Sequence, residues 1–197
     1  MTKRFFDIVM AAEGLVMLCP VLIWIAWCIR REDGGPVFYR GERVGLQGRP
    51  FRVFKFRTMV VDAEKMGASS TSDDDPRITR VGRILRKYKL DELPQLINIL
   101  IGDMSLVGPR PEVKKFTDLY TEEEQAILTV RPGITDWASI WNPDEGAILA
   151  SSTDPDRDYL EKIRPEKLRL QLKYVRERSL LTDIGIILLT LKTIVMK

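Results

Sequence analysis

Asp91 and Glu92 lie in the stretch Leu90-Asp91-Glu92-Leu93-Pro94, just before the apolar run Leu93 to Ile101. Asp at a helix start with Pro in the first turn is an initiation signal. Neighbouring helical residues diverge by about 100°, so the two carboxylates need not share one job. The helix dipole and the nearby Arg86, Lys87 and Lys89 favour an ionised Asp91. A positioned, ionised carboxylate is a nucleophile toward phosphorus and forms an acyl phosphate. Carboxylates beside substrate phosphates also suit Mg²⁺. A plain helix cap would explain the same pair, and the residues alone leave both readings open. Arg110 is wedged between Pro109 and Pro111. Two frozen backbones around a guanidinium suit bidentate phosphate recognition, and equally an ion pair in a rigid turn.

Composition narrows the chemistry. The 197 residues contain no histidine, which removes Ser-His-Asp and Cys-His mechanisms, His-ligated metals and any His general base. Carboxylates, Lys or Arg, a hard metal ion or backbone groups must do the work. With 45% hydrophobic and 30% charged residues the chain is neither disordered nor a multi-pass membrane protein. A net charge of +3 is too small an excess to suggest a nucleic-acid binder. Cys19 and Cys28 share one apolar stretch and form no disulfide or thiolate-metal pattern.

The elements that must carry these residues begin with an apolar segment, Ile8 to Ile29. About 22 helical residues reach roughly 33 Å, enough to cross bilayer hydrocarbon. Pro20 interrupts it, and basic pairs flank it at Lys3-Arg4 and Arg30-Arg31. A hairpin bent at Cys19-Pro20 keeps both pairs on the cytoplasmic side, as the positive-inside rule prefers. A kinked single span and a cleaved signal peptide are the alternatives.

Glu32-Asp33-Gly34-Gly35-Pro36 reads as a boundary, giving an anchor over 1–33 and a domain over 34–197. Val37 to Arg40 and Phe51 to Arg57 read as short strands about a turn at Leu46 to Arg49, with Lys55 and Arg57 on one face and Phe54 and Phe56 on the other. Residues 67–75 are small and acidic, a surface loop. Pro76 opens a basic amphipathic helix with Ile78, Val81, Ile84, Leu85 and Tyr88 at helical spacing, suited to an anionic membrane surface or to a core face. Thr121 and Glu124 form a capping-box pattern. A last helical pair follows Pro165, and Leu180 to Met196 reads as interfacial or packed on the domain. No Walker loop, Rossmann fingerprint or zinc spacing occurs.

Several segments together resemble the bacterial sugar transferases, the monotopic phosphoglycosyl transferases. They are Lys3-Arg4-Phe5-Phe6-Asp7, Gly35-Pro36-Val37-Phe38-Tyr39, Phe54-Lys55-Phe56-Arg57-Thr58-Met59, Asp75 to Gly82, Leu90 to Leu96, and Gly102 to Pro111. They run in family order from Lys3 to Gly133, with a looser match at Ser179 to Asp183. The resemblance implies a mostly helical α+β fold: a re-entrant N-terminal membrane hairpin bent at Cys19-Pro20, a short β-hairpin and amphipathic interfacial helices. It implies a monotopic protein of the bacterial inner membrane, with its catalytic domain on the cytoplasmic face.

The implied reaction moves a phosphosugar from a nucleotide diphosphate sugar, usually a UDP-sugar, to a polyprenol phosphate such as undecaprenyl phosphate. It yields UMP and runs in ping-pong fashion through a phosphosugar–aspartate intermediate with Mg²⁺. By position Asp91 is the nucleophile and Glu92 its partner, both candidate Mg²⁺ ligands. Pro109, Arg110 and Pro111 contact the nucleotide, and Lys55 and Arg86 are basic positions near the site. Membrane lipids are partners, nucleic acid is not, and a homodimer is compatible. Relatives usually follow Pro-Gly-Ile-Thr with Gly and a Gln-Val-Asn-Gly-Arg-like run, where this chain has Asp136-Trp137-Ala138-Ser139-Ile140-Trp141. They also often carry an acid at the position of Gln171. Both departures leave the sugar open. A non-catalytic membrane-surface protein and a nucleotide-sugar pyrophosphatase are the competing readings.

Overall fold

The computed structural model describes residues 2–63, 66 and 70–195. One helix, α1, runs from Thr2 to Asp33. Asp7, Ala11, Leu15, Leu18, Leu22, Ile25 and Ile29 face the rest of the protein. Their steps of three and four keep a single stripe on one side of the helix. At Cys19-Pro20, where the sequence predicts a bent hairpin, the helical segment continues without interruption. The stripe gives the reason: Leu18 packs in a cluster with Ala11 and Ile99, and Leu22 in a second with Ile25 and Leu85. The chain is therefore held on both sides of the proline. On the other face Phe5, Val16, Met17, Ile23, Trp24 and Trp27 are each more than half exposed.

Both ends of α1 are tied down. Lys3 Nζ donates to Asp183 at 2.6 Å, Arg4 donates to the Ile99 carbonyl at 2.6 Å, and buried Asp7 accepts from Ser105 Oγ at 2.8 Å. At the far end Asp33 pairs with Arg57 at 2.5 Å, and Glu32 accepts the Arg80 N–H at 2.8 Å.

Strands β1 (Phe38–Tyr39), β2 (Glu42–Val44), β3 (Pro50–Arg52) and β4 (Lys55–Phe56) form the expected hairpin in two pieces, β1 with β4 and β2 with β3, both antiparallel. A 3₁₀ turn, Leu46–Gly48, joins the inner pair. The break near Val53-Phe54 is filled by the buried Asn98, which accepts the Phe54 N–H at 2.7 Å and donates to the Arg52 carbonyl at 3.0 Å. That break also ends the predicted alternation: Val53 and Phe56 are buried and Phe54 is not.

Helix α2 (Arg80–Lys87) starts later than predicted, because Thr79 caps it by accepting the Gly82 N–H at 3.0 Å. Ile78, expected on its stripe, instead bridges to Met59. Leu85 faces the core while Ile84 and Tyr88 stay exposed. Gly82 lets the helix meet backbone directly, since a Cβ there would lie 2.1 Å from the Thr58 carbonyl oxygen. Of the predicted acidic loop, residues 67–69 lie outside the described residues. Ser70 and Asp73 are tethered through their N–H groups to Asp156 at 2.8 Å and to the Gly146 carbonyl at 3.2 Å.

A 3₁₀ turn, Leu90–Glu92, precedes α3 (Gln95–Ile101), which Gly102 ends in a left-handed conformation. Strand β5 (Ser105–Val107) lies parallel to β6 (Gly133–Thr135). Between them come α4 (Lys114–Thr117) and a 3₁₀ segment, Glu124–Thr129, with the predicted reciprocal Thr121–Glu124 cap at 2.9 and 3.3 Å. Short helices α5 (Trp137–Trp141), α6 (Glu145–Ile148) and α7 (Pro155–Asp158) lead through a π turn, Tyr159–Ile163, into α8 (Arg164–Glu177) and α9 (Leu180–Val195). Asp183 and Ile186 turn inward from α9, and Leu181 and Leu188 turn outward. The result is a mostly helical α+β fold with a long apolar N-terminal helix.

Candidate active site

Lys89 takes a left-handed conformation, φ 56°, which stops α2 and redirects the chain into the 3₁₀ turn carrying Asp91 and Glu92. The turn brings both carboxylates to the wall of an open groove of about 1330 Å³. Lys55 from β4, Arg86 from α2 and Arg110 from the loop after β5 line the same groove. The five residues that the resemblance implies at one site therefore line one groove. Pro111 lines the groove too, whereas Pro109 faces a small crevice behind the loop.

The two carboxylates differ sharply. Glu92 accepts from Lys55 Nζ at 2.7 Å and from Arg110 Nη1 at 2.7 Å, and also takes a short bond from Arg110 Nη2. Burial alone would raise its carboxyl, but Arg110 and Lys55 outweigh that and hold it well below the ordinary value. Glu92 in turn holds the Arg110 guanidinium above its ordinary value, against the effect of burial. Asp91 is equally buried, at 7% exposure, yet accepts no hydrogen bond and forms no ion pair among the described residues. Burial is the largest influence on it and raises its carboxyl. Lys55, Arg86 and Lys89 pull the other way, Glu92 adds to the rise, and the net is upward. This corrects the expectation that the helix dipole and basic neighbours leave ionisation favoured. Asp91 sits in the turn before α3, beyond the first helical N–H groups, and burial dominates.

Arg86 is fixed by its Nε bond to Thr58 Oγ1 at 3.0 Å. Arg57, expected beside Lys55, is drawn away to Asp33, so of these two strand cations it is Lys55 that bonds Glu92. As for metal, no group of three or more acidic or thiol ligands exists among the described residues. Both Glu92 oxygens are already engaged, so Glu92 does not fit as a direct Mg²⁺ ligand in this arrangement. Asp91, with no bonded partner, does fit, in the manner of Mg²⁺ sites completed by substrate phosphates.

Sequence reasoning passes over several groove residues. Asp73 and Asp144 approach each other there, and burial with Asp144 raises the Asp73 carboxyl. Lys167 bridges Glu145 at 3.0 Å and Glu112 at 3.6 Å, and Glu112 also bonds the hydroxyls of Tyr120 and Tyr159. These residues come from scattered segments without a shared motif, so no local pattern marks them. The groove also has an apolar lining, made by Met10 of α1, Leu96, Leu106 and Ile134, and by Ile187, Leu191 and Ile194 on one face of α9.

The fold and site thus define an α+β protein with a lipid-compatible helix packed along an acid–cation groove. The model for the bacterial sugar transferase family matches residues 1–197, and the chain belongs to that family. It is 37% identical over 195 residues to the UDP-N-acetylgalactosamine-undecaprenyl-phosphate N-acetylgalactosaminephosphotransferase of Aeromonas hydrophila, covering 98% of this chain and 43% of that protein. It is 40% identical over 191 residues to the UDP-glucose:undecaprenyl-phosphate glucose-1-phosphate transferase of Escherichia coli K12, covering 95% of this chain and 39% of the relative. The chain therefore spans about two-fifths of the length of these two relatives. The exopolysaccharide production protein ExoY of Sinorhizobium fredii is 33% identical over 208 residues, with 98% of this chain and 85% of that protein covered.

Proposed function

We propose that this chain is a phosphoglycosyl transferase that moves a sugar phosphate from a UDP-sugar to undecaprenyl phosphate and works at the cytoplasmic face of the bacterial inner membrane. The observation that carries the reading is the contrast within the acidic pair: Glu92 is clamped by two cations, while Asp91 beside it is unengaged and lines the same groove. A carboxylate left without partners and shielded from water retains its basicity, which suits a nucleophile.

In the first step an Asp91 oxygen attacks the phosphorus bearing the sugar. The bond from that phosphorus to the bridging oxygen breaks, and UMP leaves with the electron pair. In the second step a phosphate oxygen of the acceptor attacks the same phosphorus and the bond from it to the Asp91 oxygen breaks, restoring the Asp91 carboxylate. No net proton or redox equivalent is needed. Arg110, held by Glu92, offers its remaining N–H groups to the donor diphosphate, and Lys55 and Arg86 offset the charge that develops there. Mg²⁺ held by Asp91 and the substrate phosphates would neutralise diphosphate charge.

The apolar lining of the groove takes the first isoprenyl units of the acceptor, so that its phosphate reaches Asp91 from the bilayer. Anchoring follows from α1. Both of its ends are bound to one domain, so they stay on one side of the membrane while the Phe5–Trp27 face enters lipid.

The test is incubation with a UDP-sugar labelled in the sugar-attached phosphate, without acceptor. Label retained on the protein, lost in Asp91→Asn and discharged by undecaprenyl phosphate supports the reading. Label that survives Asp91→Asn removes Asp91 as the nucleophile, and free sugar phosphate released without acceptor makes the protein a pyrophosphatase.

A further inference from the structure

Proline has no backbone N–H, so within Pro109-Arg110-Pro111 the Arg110 amide is the single main-chain donor. Its acceptor is a side chain, Asp136 Oδ2, at 3.3 Å. The placement follows from the strands. β5 and β6 run in parallel, with the Gly108 N–H bonded to the Thr135 carbonyl at 3.0 Å and the Gly133 N–H bonded to the Pro109 carbonyl at 3.0 Å. The two backbones approach so closely that a Cβ on Gly133 would lie 2.1 Å from the Gly108 nitrogen. Where β6 ends, the Asp136 carboxylate continues the ladder in place of a carbonyl.

Asp136 has no exposed surface, and its two oxygens serve different elements. Oδ1 caps α5, accepting from Ser139 N at 2.7 Å and Ser139 Oγ at 2.8 Å. Oδ2 faces Arg110 and also accepts from Gln171 Nε2 of α8 at 3.2 Å. The same amide nitrogen comes within 3.5 Å of the Arg110 carbonyl. Gln171 is fully buried, and its Oε1 has no partner among the described residues. An amide is thus used here for its donor alone, at the cost of a stranded acceptor. A cap needs only Oδ1, so the contacts at Oδ2 call for another explanation.

We infer that Asp136 and Gln171 are positioning residues that hold both backbone groups of Arg110, and so aim its guanidinium at Glu92 and at the donor diphosphate. The reading rests on the role given to Arg110 above. Arg110 Nη1 contacts the Ile134 carbonyl at 3.1 Å, so β6, which leads into Asp136, also supports the side chain.

The experiment uses the full chain in lipid nanodiscs and three variants. Asn caps helices as well as Asp does, so Asp136→Asn keeps the Ser139 contacts while turning an NH₂ group toward two donors. Gln171→Glu sets two acceptors face to face. The double variant Asp136→Asn/Gln171→Glu restores a donor–acceptor pair with the carboxylate moved to α8. Each single variant is expected to raise the KM for UDP-sugar about tenfold, with kcat and the KM for undecaprenyl phosphate little changed. The double variant re-pairs the two side chains but leaves the Arg110 N–H facing an NH₂ group and its carbonyl facing a carboxylate, so it should keep the raised KM. Independently of activity, hydrogen exchange of the Arg110 amide, followed by ¹⁵N-arginine NMR, should be protected in the wild type and faster in Asp136→Asn. An unchanged exchange rate in Asp136→Asn, or a double variant with the wild-type KM, overturns the inference. A wild type that protects this amide but releases no UMP refutes the proposed activity and leaves the positioning role standing.

Discussion

Replacing Glu92 by Gln should destabilise the protein, and replacing its neighbour Asp91 by Asn should stabilise it. Glu92 accepts three charge-assisted bonds from Lys55 and Arg110, whose side chains are only 24% and 28% exposed. Breaking a fully buried pair costs about 3–5 kcal/mol. The partial exposure of both cations, and the one acceptor oxygen that Gln keeps, reduce this to about 2–3 kcal/mol. For a chain of this size each kcal/mol moves Tm by about 2–4 °C, so Glu92→Gln should melt roughly 5–10 °C lower. Because the folded carboxyl of Glu92 is depressed, its contribution is present above the ordinary Glu value near 4.5 and is lost as pH falls through the lower folded value. The gap between wild type and variant should therefore close in acid. Asp91 has the opposite sign. Its folded carboxyl is raised, so its favourable contribution exists at low pH and is lost as pH rises through the folded value. At neutral pH the buried charge is a burden, and Asp91→Asn should melt a few degrees higher while losing all transfer activity. Thermal unfolding of nanodisc-embedded protein at pH 7 reads both effects, and a series carried well below pH 4.5 reads the closing of the Glu92 gap. Shifts of the same sign at pH 7 would refute the assignment of one carboxylate as clamped and the other as free.

Two further outcomes follow from the groove and from α1. Leu191→Gln should lower transfer to a long polyprenyl phosphate about tenfold while sparing a one-isoprene acceptor, because Leu191 belongs to the groove's apolar lining; an equal loss for both acceptors would move the chain elsewhere. In a background lacking Cys19 and Cys28, cysteines placed at Thr2 and Glu32 should both react with impermeant thiol reagents only from the cytoplasmic side of oriented vesicles. Labelling from opposite sides would make α1 a span.

Local signals mark several of the site residues, and the family resemblance is what gathers them at one site. The Leu90 to Pro94 start signal locates Asp91-Glu92, the two prolines isolate Arg110, and the Thr121–Glu124 cap appears as its spacing demands. What escapes is set by distant contacts. Nothing near Arg57 shows that Asp33 takes it, and nothing near Val53 shows that Asn98 fills the strand break. Read locally, Pro20 breaks a helix, yet packing of Leu18 and Leu22 on separate clusters keeps α1 whole across it. The ionisation of Asp91 escapes for a related reason: basic neighbours can be counted in a sequence, whereas desolvation depends on the packed structure. Asp136 and Gln171 stand out only as departures from the family pattern, and their shared junction at Arg110 requires three dimensions.

The N-terminal helix supplies Ala11 to one cluster of core residues and Ile25 and Ile29 to another. Residues 34–195 made alone would present both clusters half-built, as a sticky surface. Folding must then be a coordinated event in which α1 and the rest of the chain complete each other's clusters. A version trimmed for solubility would shed part of the interior along with the anchor, and aggregation is the fate to expect of it.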